Sequence, residues 1–481
     1  MNLSSIPKLL RSRTRHYGPK PVLYRYGPVG AQQEFTWFDL WAGAVAVAER
    51  LLDEDLPRER GVAIVSQTSA ASLVAELGAM LAGGMAVPIH PVSDPLLAKS
   101  LFEEVEPALV LAPPAQHDAI RSILSQLAPA PRLLPLPEPP GDQRSFCDPR
   151  PDVLDRIEAT GPTGVAVSWP VAADWTGPGS NSSEPGDTDQ APRSSGLAVP
   201  PAHARTAPAR FVDLMHQNLV ATAEAVARRL GASEADRWVA LPAAPTPFFR
   251  VAGVYAPLLS GGEVVLLEAP SVPSGEPGSS RLSCFWIARP SVAIATIEDA
   301  SGLAASALAE VQRLSGWSRT FAFLALRHSG IPGPWGAALP DRFPWRELAR
   351  IGQTRIRHVF GDLSRIVLGP GPAPSDLLRV FDAFGVSACP AYGVPEASGL
   401  VSLAAPGEAL PEGSCGRPLD GVQVEISGQN EIVVSGPTVM LSYRKVEAHA
   451  NPVLTNGRLH TRHLGHLDED GHLFPIGPMA G

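Results

Sequence analysis

His460, His463, His466 and His472 put four of the chain's twelve histidines within thirteen residues. Imidazoles ligate zinc or copper when several converge on one point. Side chains alternate along a strand, so His460 and His466 share a face while His463 takes the other. The turn signal Asp468-Glu469-Asp470-Gly471 then separates His472 from the rest. This spacing predicts a solvated face, not a metal centre. Cys147, Cys284, Cys389 and Cys415 are far apart and form no CxxC pair, which reads as free thiols and argues against structural zinc. A Gly-x-Ser-x-Gly nucleophile elbow is also missing.

A second set of short motifs follows in order. These are His216-Gln217-Asn218-Leu219, Phe249-Arg250-Val251-Ala252-Gly253, Gly369-Pro370-Gly371-Pro372, Tyr392-Gly393-Val394-Pro395-Glu396 and Thr461-Arg462-His463-Leu464-Gly465. Ahead of the first lies Ala202 to Phe211, ten residues without glycine, in which Thr206 is the one hydroxyl. A phosphate nest needs converging backbone N–H groups, usually through glycine at positive φ, so this stretch reads as an ordinary connection. Arg205 and Arg210 could still attract phosphate.

The elements that must carry these motifs alternate. Pro21–Tyr26 reads as a strand, and Leu40, Ala44, Val47, Ala48 and Leu51 line one helical face. Gly61–Val65, a helix over Ser69–Leu81 and a strand at Ala86–Ile89 make a βαβ unit with a glycine stop, hence a parallel sheet. Ala108–Ala112 adds a further strand. From 131 to 207 the pattern breaks into Pro-, Gly- and Ser-rich sequence and predicts a linker or insertion, partly disordered. Alternation resumes with a helix over Met215–Leu230 and strands at Trp238–Leu241 and Glu263–Leu267, with a helix near Gly253–Ser260 between them. Beyond it follow a strand at Arg365–Leu368 and a helix over Ser375–Phe384. Past Gly416 only short strands remain, ending in a hairpin around Asp468–Gly471.

The order and spacing of these motifs, with Gly416-Arg417-Pro418-Leu419-Asp420-Gly421 and Glu431-Ile432-Val433-Val434-Ser435-Gly436, resemble the large N-terminal domain of the acyl-adenylate-forming superfamily. That superfamily includes acyl- and aryl-CoA synthetases, fatty acyl-AMP ligases and peptide-synthetase adenylation domains. The resemblance spans nearly the whole chain and is weakest over 131–207. It implies an α/β fold of two doubly wound subdomains with mostly parallel sheets, 1–130 and 208–415, and a β-rich subdomain, 416–481. It implies ATP-dependent activation of a carboxylic acid to an acyl adenylate and onward to a thioester, with ATP and Mg²⁺ as cofactors if the chain is active and none otherwise.

The same resemblance assigns residues. Tyr392 and Gly393 would flank adenine, Glu396 would bind Mg²⁺, and Gly369 and Gly371 would form the adenine-side loop. Thr206 and Arg210 belong to the phosphate loop, and His463 stands where the ribose is held. Phe249, Arg250 and Gly253 would line the acyl pocket. Several of these depart from the family pattern. The phosphate loop lacks its glycines, Arg250 replaces a histidine, Pro370 removes a donor, and Pro395 replaces a threonine before Glu396. His463 and Arg462 stand for Asp and Gly of a Thr-Gly-Asp-Leu-Gly motif. A carboxylate accepts from both ribose hydroxyls where neutral imidazole offers one acceptor, a loss on the order of 3–6 kcal/mol. Gly477-Pro478-Met479-Ala480-Gly481 stands where the family has its hinge, so the small lysine-bearing domain is expected to be absent. The expected function is therefore a ligase homologue impaired in adenylation and kept for binding an acyl group, a carrier protein or a paralogous ligase. The alternative is an active ligase whose second domain comes from a partner.

Composition bounds the rest. The net charge of −9 argues against a nucleic-acid surface, and no apolar run is long enough for a membrane span. With no signal peptide legible at Met1–Ser5, a cytoplasmic location is expected. Prolines number 51 of 481, about twice the usual share, and many fall between Pro129 and Pro208.

Overall fold

The computed structural model describes residues 5–26, 32–57, 60–91, 95–171, 210–242, 245–267, 285–313, 357–445 and 453–479. Helix α1 (Ile6–Tyr17) leads into the hairpin β1 (Pro21–Tyr26) and β2 (Gln32–Thr36). Helix α2 (Trp37–Asp53) begins at a reciprocal cap, in which the Asp39 amide donates to Thr36 Oγ1 and the Thr36 amide donates to Asp39. Next come β3 (Gly61–Val65), α3 (Ala70–Leu81), β4 (Met85–Ile89), α4 (Pro95–Val105), β5 (Leu109–Ala112), α5 (His117–Leu124) and β6 (Arg132–Pro135). Their strands are parallel, and β3 and β4 are buried end to end, as the continuous apolar runs require.

The stretch expected as linker carries regular structure in its first part. Strand β6 pairs with β5, α6 (Pro151–Ala159) packs Val153 and Ile157 inward, and β7 (Val165–Val171) pairs with β4. Prolines misled the reading because they sit at permissive positions, such as Pro151 at the first turn of α6 and Pro135 at the end of β6 on the sheet edge. Residues 172–209 lie outside the described residues, and Thr206 with them.

After β8 (Arg210–Met215) come α7 (His216–Arg229), β9 (Arg237–Ala240), the short α8 (Pro247–Arg250), a π-helical turn over Val251–Tyr255, α9 (Ala256–Ser260) and β10 (Glu263–Leu267). Strand β11 (Val292–Ala295), α10 (Ile297–Arg313), β12 (Arg365–Leu368), α11 (Ser375–Ala383) and β13 (Ser387–Tyr392) complete the second α/β part. Short strands follow: β14 (Ser402–Leu403), β15 (Arg417–Pro418), β16 (Gln423–Ile426), β17 (Glu431–Ser435), β18 (Ser442–Tyr443), β19 (Leu454–Thr455), β20 (Arg458–Leu467) and β21 (Leu473–Pro478).

Three sheets result among the described residues. Their orders are β18-β8-β7-β4-β3-β5-β6, β15-β14-β13-β12-β11-β9-β10-β1-β2, and β16-β17-β20-β19 with β21 beside β20. The sheets do not follow the chain segments: β1 and β2 join the second sheet, while β8 and β18 join the first. The largest apolar cluster joins α1, α2, α3 and α7 to residues of both large sheets, among them Val22, Val62, Ile64, Trp238 and Val264. Helices packed between two sheets make a three-layer core, which explains why α3 is buried at every position.

Candidate functional site

The motif around His216 is a structural joint. Asn218 Oδ1 accepts the Met215 amide and closes the first turn of α7, while Nδ2 donates to the carbonyls of Pro437 and Val439. One side chain thus caps a helix and ties it to a loop 219 residues away. Burial holds His216 neutral, pushing its pKa down to about 3.

Tyr392 ends β13, where β14 pairs back on it, and its hydroxyl lies 3.0 Å from His463 Nδ1 on β20. Both side chains are buried. Burial lowers the His463 pKa, so the ring is neutral and Nδ1 accepts the tyrosine O–H, with the ring proton assigned to Nε2. Beside them Glu396 is half-buried and accepts the Tyr443 hydroxyl at 2.7 Å. Burial raises its carboxyl, opposed by the Tyr443 bond and by Arg210. The Arg210 guanidinium stands 5.4 Å from the Tyr443 ring centroid, a cation–π contact. Tyr392, Gly393, Glu396, His463 and Arg210 are therefore gathered in one region.

The glycines have packing reasons. A Cβ on Gly393 would lie 1.8 Å from the Gly399 carbonyl oxygen, and one on Gly369 would lie 2.6 Å from that of Ala391. Gly371, at φ +126°, donates its amide to the same Ala391 oxygen at 2.8 Å, next to Tyr392. The loop carrying Gly369 and Gly371 is thus fastened to the tyrosine strand.

Phe249, Arg250 and Gly253 form a separate place. With Thr68, Ala240, Pro242 and β10 they line a cavity of about 20 Å³. The Arg250 side chain is 2% exposed, and its Nε lies 3.2 Å from Glu76 Oε2 on α3. Glu76 also accepts the Tyr255 hydroxyl. Burial pushes the Glu76 carboxyl up, with Arg250 and Tyr255 working against that rise. Motif reading missed Glu76, Tyr255 and Tyr443. Glu76 left a signal, since it is the one charged residue in helix Ala70–Leu81, which is apolar elsewhere except at Ser72. Tyr443 left none, because its partner Glu396 is 47 residues away.

The four clustered histidines disperse to different partners. His460 Nδ1 meets Glu431 at 2.9 Å, His463 meets Tyr392, and His466 stacks on Phe474 at 4.6 Å. His472 sits between Asp468 at 2.9 Å and Glu408 at 3.2 Å. His463 and His472 are buried, so the expected solvated face holds for only part of the set. The β20 bulge explains His463: Arg462 turns to φ +56°, and its amide donates to Glu431. Among the described residues one group, Asp468, Asp470 and His472, has spacing compatible with a metal.

The family model described as AMP-binding enzyme matches residues 10–154 and 210–444. The chain belongs to that family. Its two α/β sheets and β-rich portion agree with the fold class expected for acyl-adenylate-forming ligases. Among curated relatives, 2-succinylbenzoate–CoA ligase of Oceanobacillus iheyensis is 33% identical over 139 residues, 27% of this chain and 28% of the relative. The Bacillus mycoides enzyme of the same name is 38% identical over 121 residues, 23% of this chain and 25% of the relative. The matched portion thus spans about a quarter of these relatives' length. Among solved structures, the anthranilate CoA ligase AuaEII in complex with anthranoyl-AMP superposes with a TM-score of 0.68 at 16% identity, covering 98% of this chain and 78% of that one. VinN in complex with L-aspartate gives 0.66 at 18% identity and covers 98% of both chains. These likenesses establish the fold. No helix among the described residues is long and apolar enough to cross a membrane.

Proposed function

We propose that this chain is an acyl-adenylate-forming ligase homologue that binds a carboxylic acid or acyl group but is impaired in adenylation. The observation that carries this reading is the pairing of Tyr392 with His463. The residues that the family resemblance assigns to adenine and ribose are bonded to one another in a buried contact. The donor set also fits ATP·Mg²⁺ poorly. Neutral His463 spends its Nδ1 on tyrosine and presents no carboxylate to a ribose diol, and one oxygen of Glu396 is committed to Tyr443. Phe249 and Gly253 keep the acyl-pocket role, with Arg250 as its polar member. A carrier protein or paralogous ligase is the partner class this reading suggests.

A second reading keeps the chain an active ligase using ATP and Mg²⁺, with a partner supplying the second domain. It is favoured by Arg210 and Glu396 lying in one network with Tyr443. Calorimetric titration of ATP·Mg²⁺ into the full chain, repeated with His463→Asp, separates the two. The first reading expects no micromolar binding by the native chain. Micromolar binding by the native chain overturns it in favour of the second. Binding by His463→Asp alone assigns the loss to that position, and binding by neither places it in the phosphate loop as well.

A further inference from the structure

Arg250 is buried deeper than a pocket-lining cation needs to be, and its guanidinium is not fully used. Nε faces Glu76 Oε2 at 3.2 Å, while Nη1 has no hydrogen-bond partner among the described residues. The residue borders the cavity of about 20 Å³ whose other walls, Ala240, Pro242, Phe249 and β10, are almost wholly apolar. That volume admits one water-sized group and no more. A buried donor without an acceptor is costly, and the cost is recovered when a ligand brings an oxygen to it. Charge narrows the choice. Glu76 already balances Arg250, so a second carboxylate placed there would leave the buried group with net negative charge. A neutral oxygen would not.

We infer that Arg250 Nη1 reads a neutral oxygen, keto or hydroxyl, on the far end of the acyl or aryl group, making oxygen-bearing carboxylic acids the substrate class. The inference rests on the acyl-pocket reading of Phe249, Arg250 and Gly253. Phe249 and β10 wall the space that the terminal oxygen alone enters, Arg250 donates to that oxygen, and Glu76 with Tyr255 holds the guanidinium in place.

The test is calorimetry of the full chain with matched carboxylates: 4-hydroxybenzoate against 4-methylbenzoate, and 5-oxohexanoate against 5-methylhexanoate, with adipate as the charged probe. The oxygen-bearing member is expected to bind about 10- to 150-fold more tightly, the worth of one hydrogen bond from a charged donor. Adipate should bind no better than the methyl compounds. The double variant Glu76→Gln with Arg250→Met removes both charges together and should abolish the discrimination. Equal binding within each pair by the native chain overturns the inference while leaving the acyl pocket standing. Discrimination that persists in the double variant also overturns it. Binding of none of the probes removes the acyl-pocket reading and this inference with it.

Discussion

Two polar groups lie inside this molecule and are built on opposite terms. Glu76, Arg250 and Tyr255 form a charged group between α3 and the helical turn after α8, with both ion-pair side chains 2% exposed. Tyr392 and His463 form a neutral pair between β13 and β20, beside Glu396 and Tyr443. A buried ion pair has low tolerance for loss of one member, since the survivor keeps its desolvation cost. A neutral pair loses only one modest bond and can exchange its partner for a ligand. The charged group therefore cannot lose one member without a large cost in stability, and the neutral pair is where nucleotide binding can be restored or removed by substitution.

Breaking the charged group should have the largest effect. Arg250→Met alone is expected to destabilise the fold by about 3–5 kcal/mol in denaturant unfolding, because Glu76 stays buried without its counter-charge. Adding Glu76→Gln should recover most of that loss. A double variant as unstable as the single one would mean that packing, not charge, governs this place.

The neutral pair should respond less. Tyr392→Phe removes the hydroxyl bonded to His463 Nδ1 and is expected to cost about 0.5–1.5 kcal/mol. A variant as stable as the native chain would show that the pair does not hold the sheets together. Smaller again is Arg462→Gly. Its φ of +56° strains an L residue, so glycine should stabilise the chain by about 0.5–1 kcal/mol, the relief outweighing glycine's extra chain entropy. Loss of stability in thermal unfolding would mean that the Arg462 side chain does more than fill the bulge.

The weakest effect is a pH dependence in the hairpin. Bonds to Asp468 and Glu408 raise the His472 pKa above its ordinary value near 6.5. A group whose folded pKa is raised contributes stability that is fully present below the unfolded pKa. That contribution is lost as pH rises through the folded value. Stability should therefore fall on going from pH 6 upward, and His472→Gln should flatten the slope. An unchanged slope would place the titration elsewhere.

Much of the fold was legible because its strands are apolar runs bounded by glycine and proline, as in Gly61–Val65 and Glu263–Leu267, and its helices carry clear caps. The stretch 132–171 escaped because proline density resembles a linker until the positions of Pro135, at the end of an edge strand, and Pro151, in the first turn of a helix, are seen. Tyr392, Gly393, Glu396 and His463 could be placed near one another only through motif order, since no local spacing joins residues 71 apart. Arg250 was found as a departure from a motif, yet its partner lies on α3 and is marked in the sequence only as a lone charge in an apolar helix.

The sequence by itself determined the alternation of elements, the family and the positions at which that family's pattern is altered, because these depend on residue type and short-range periodicity. Only the tertiary structure decided what the altered residues do. It turned Arg250 inward onto Glu76 and His463 onto Tyr392, since burial makes an unpartnered polar group costly and the nearest partner in space is distant along the chain.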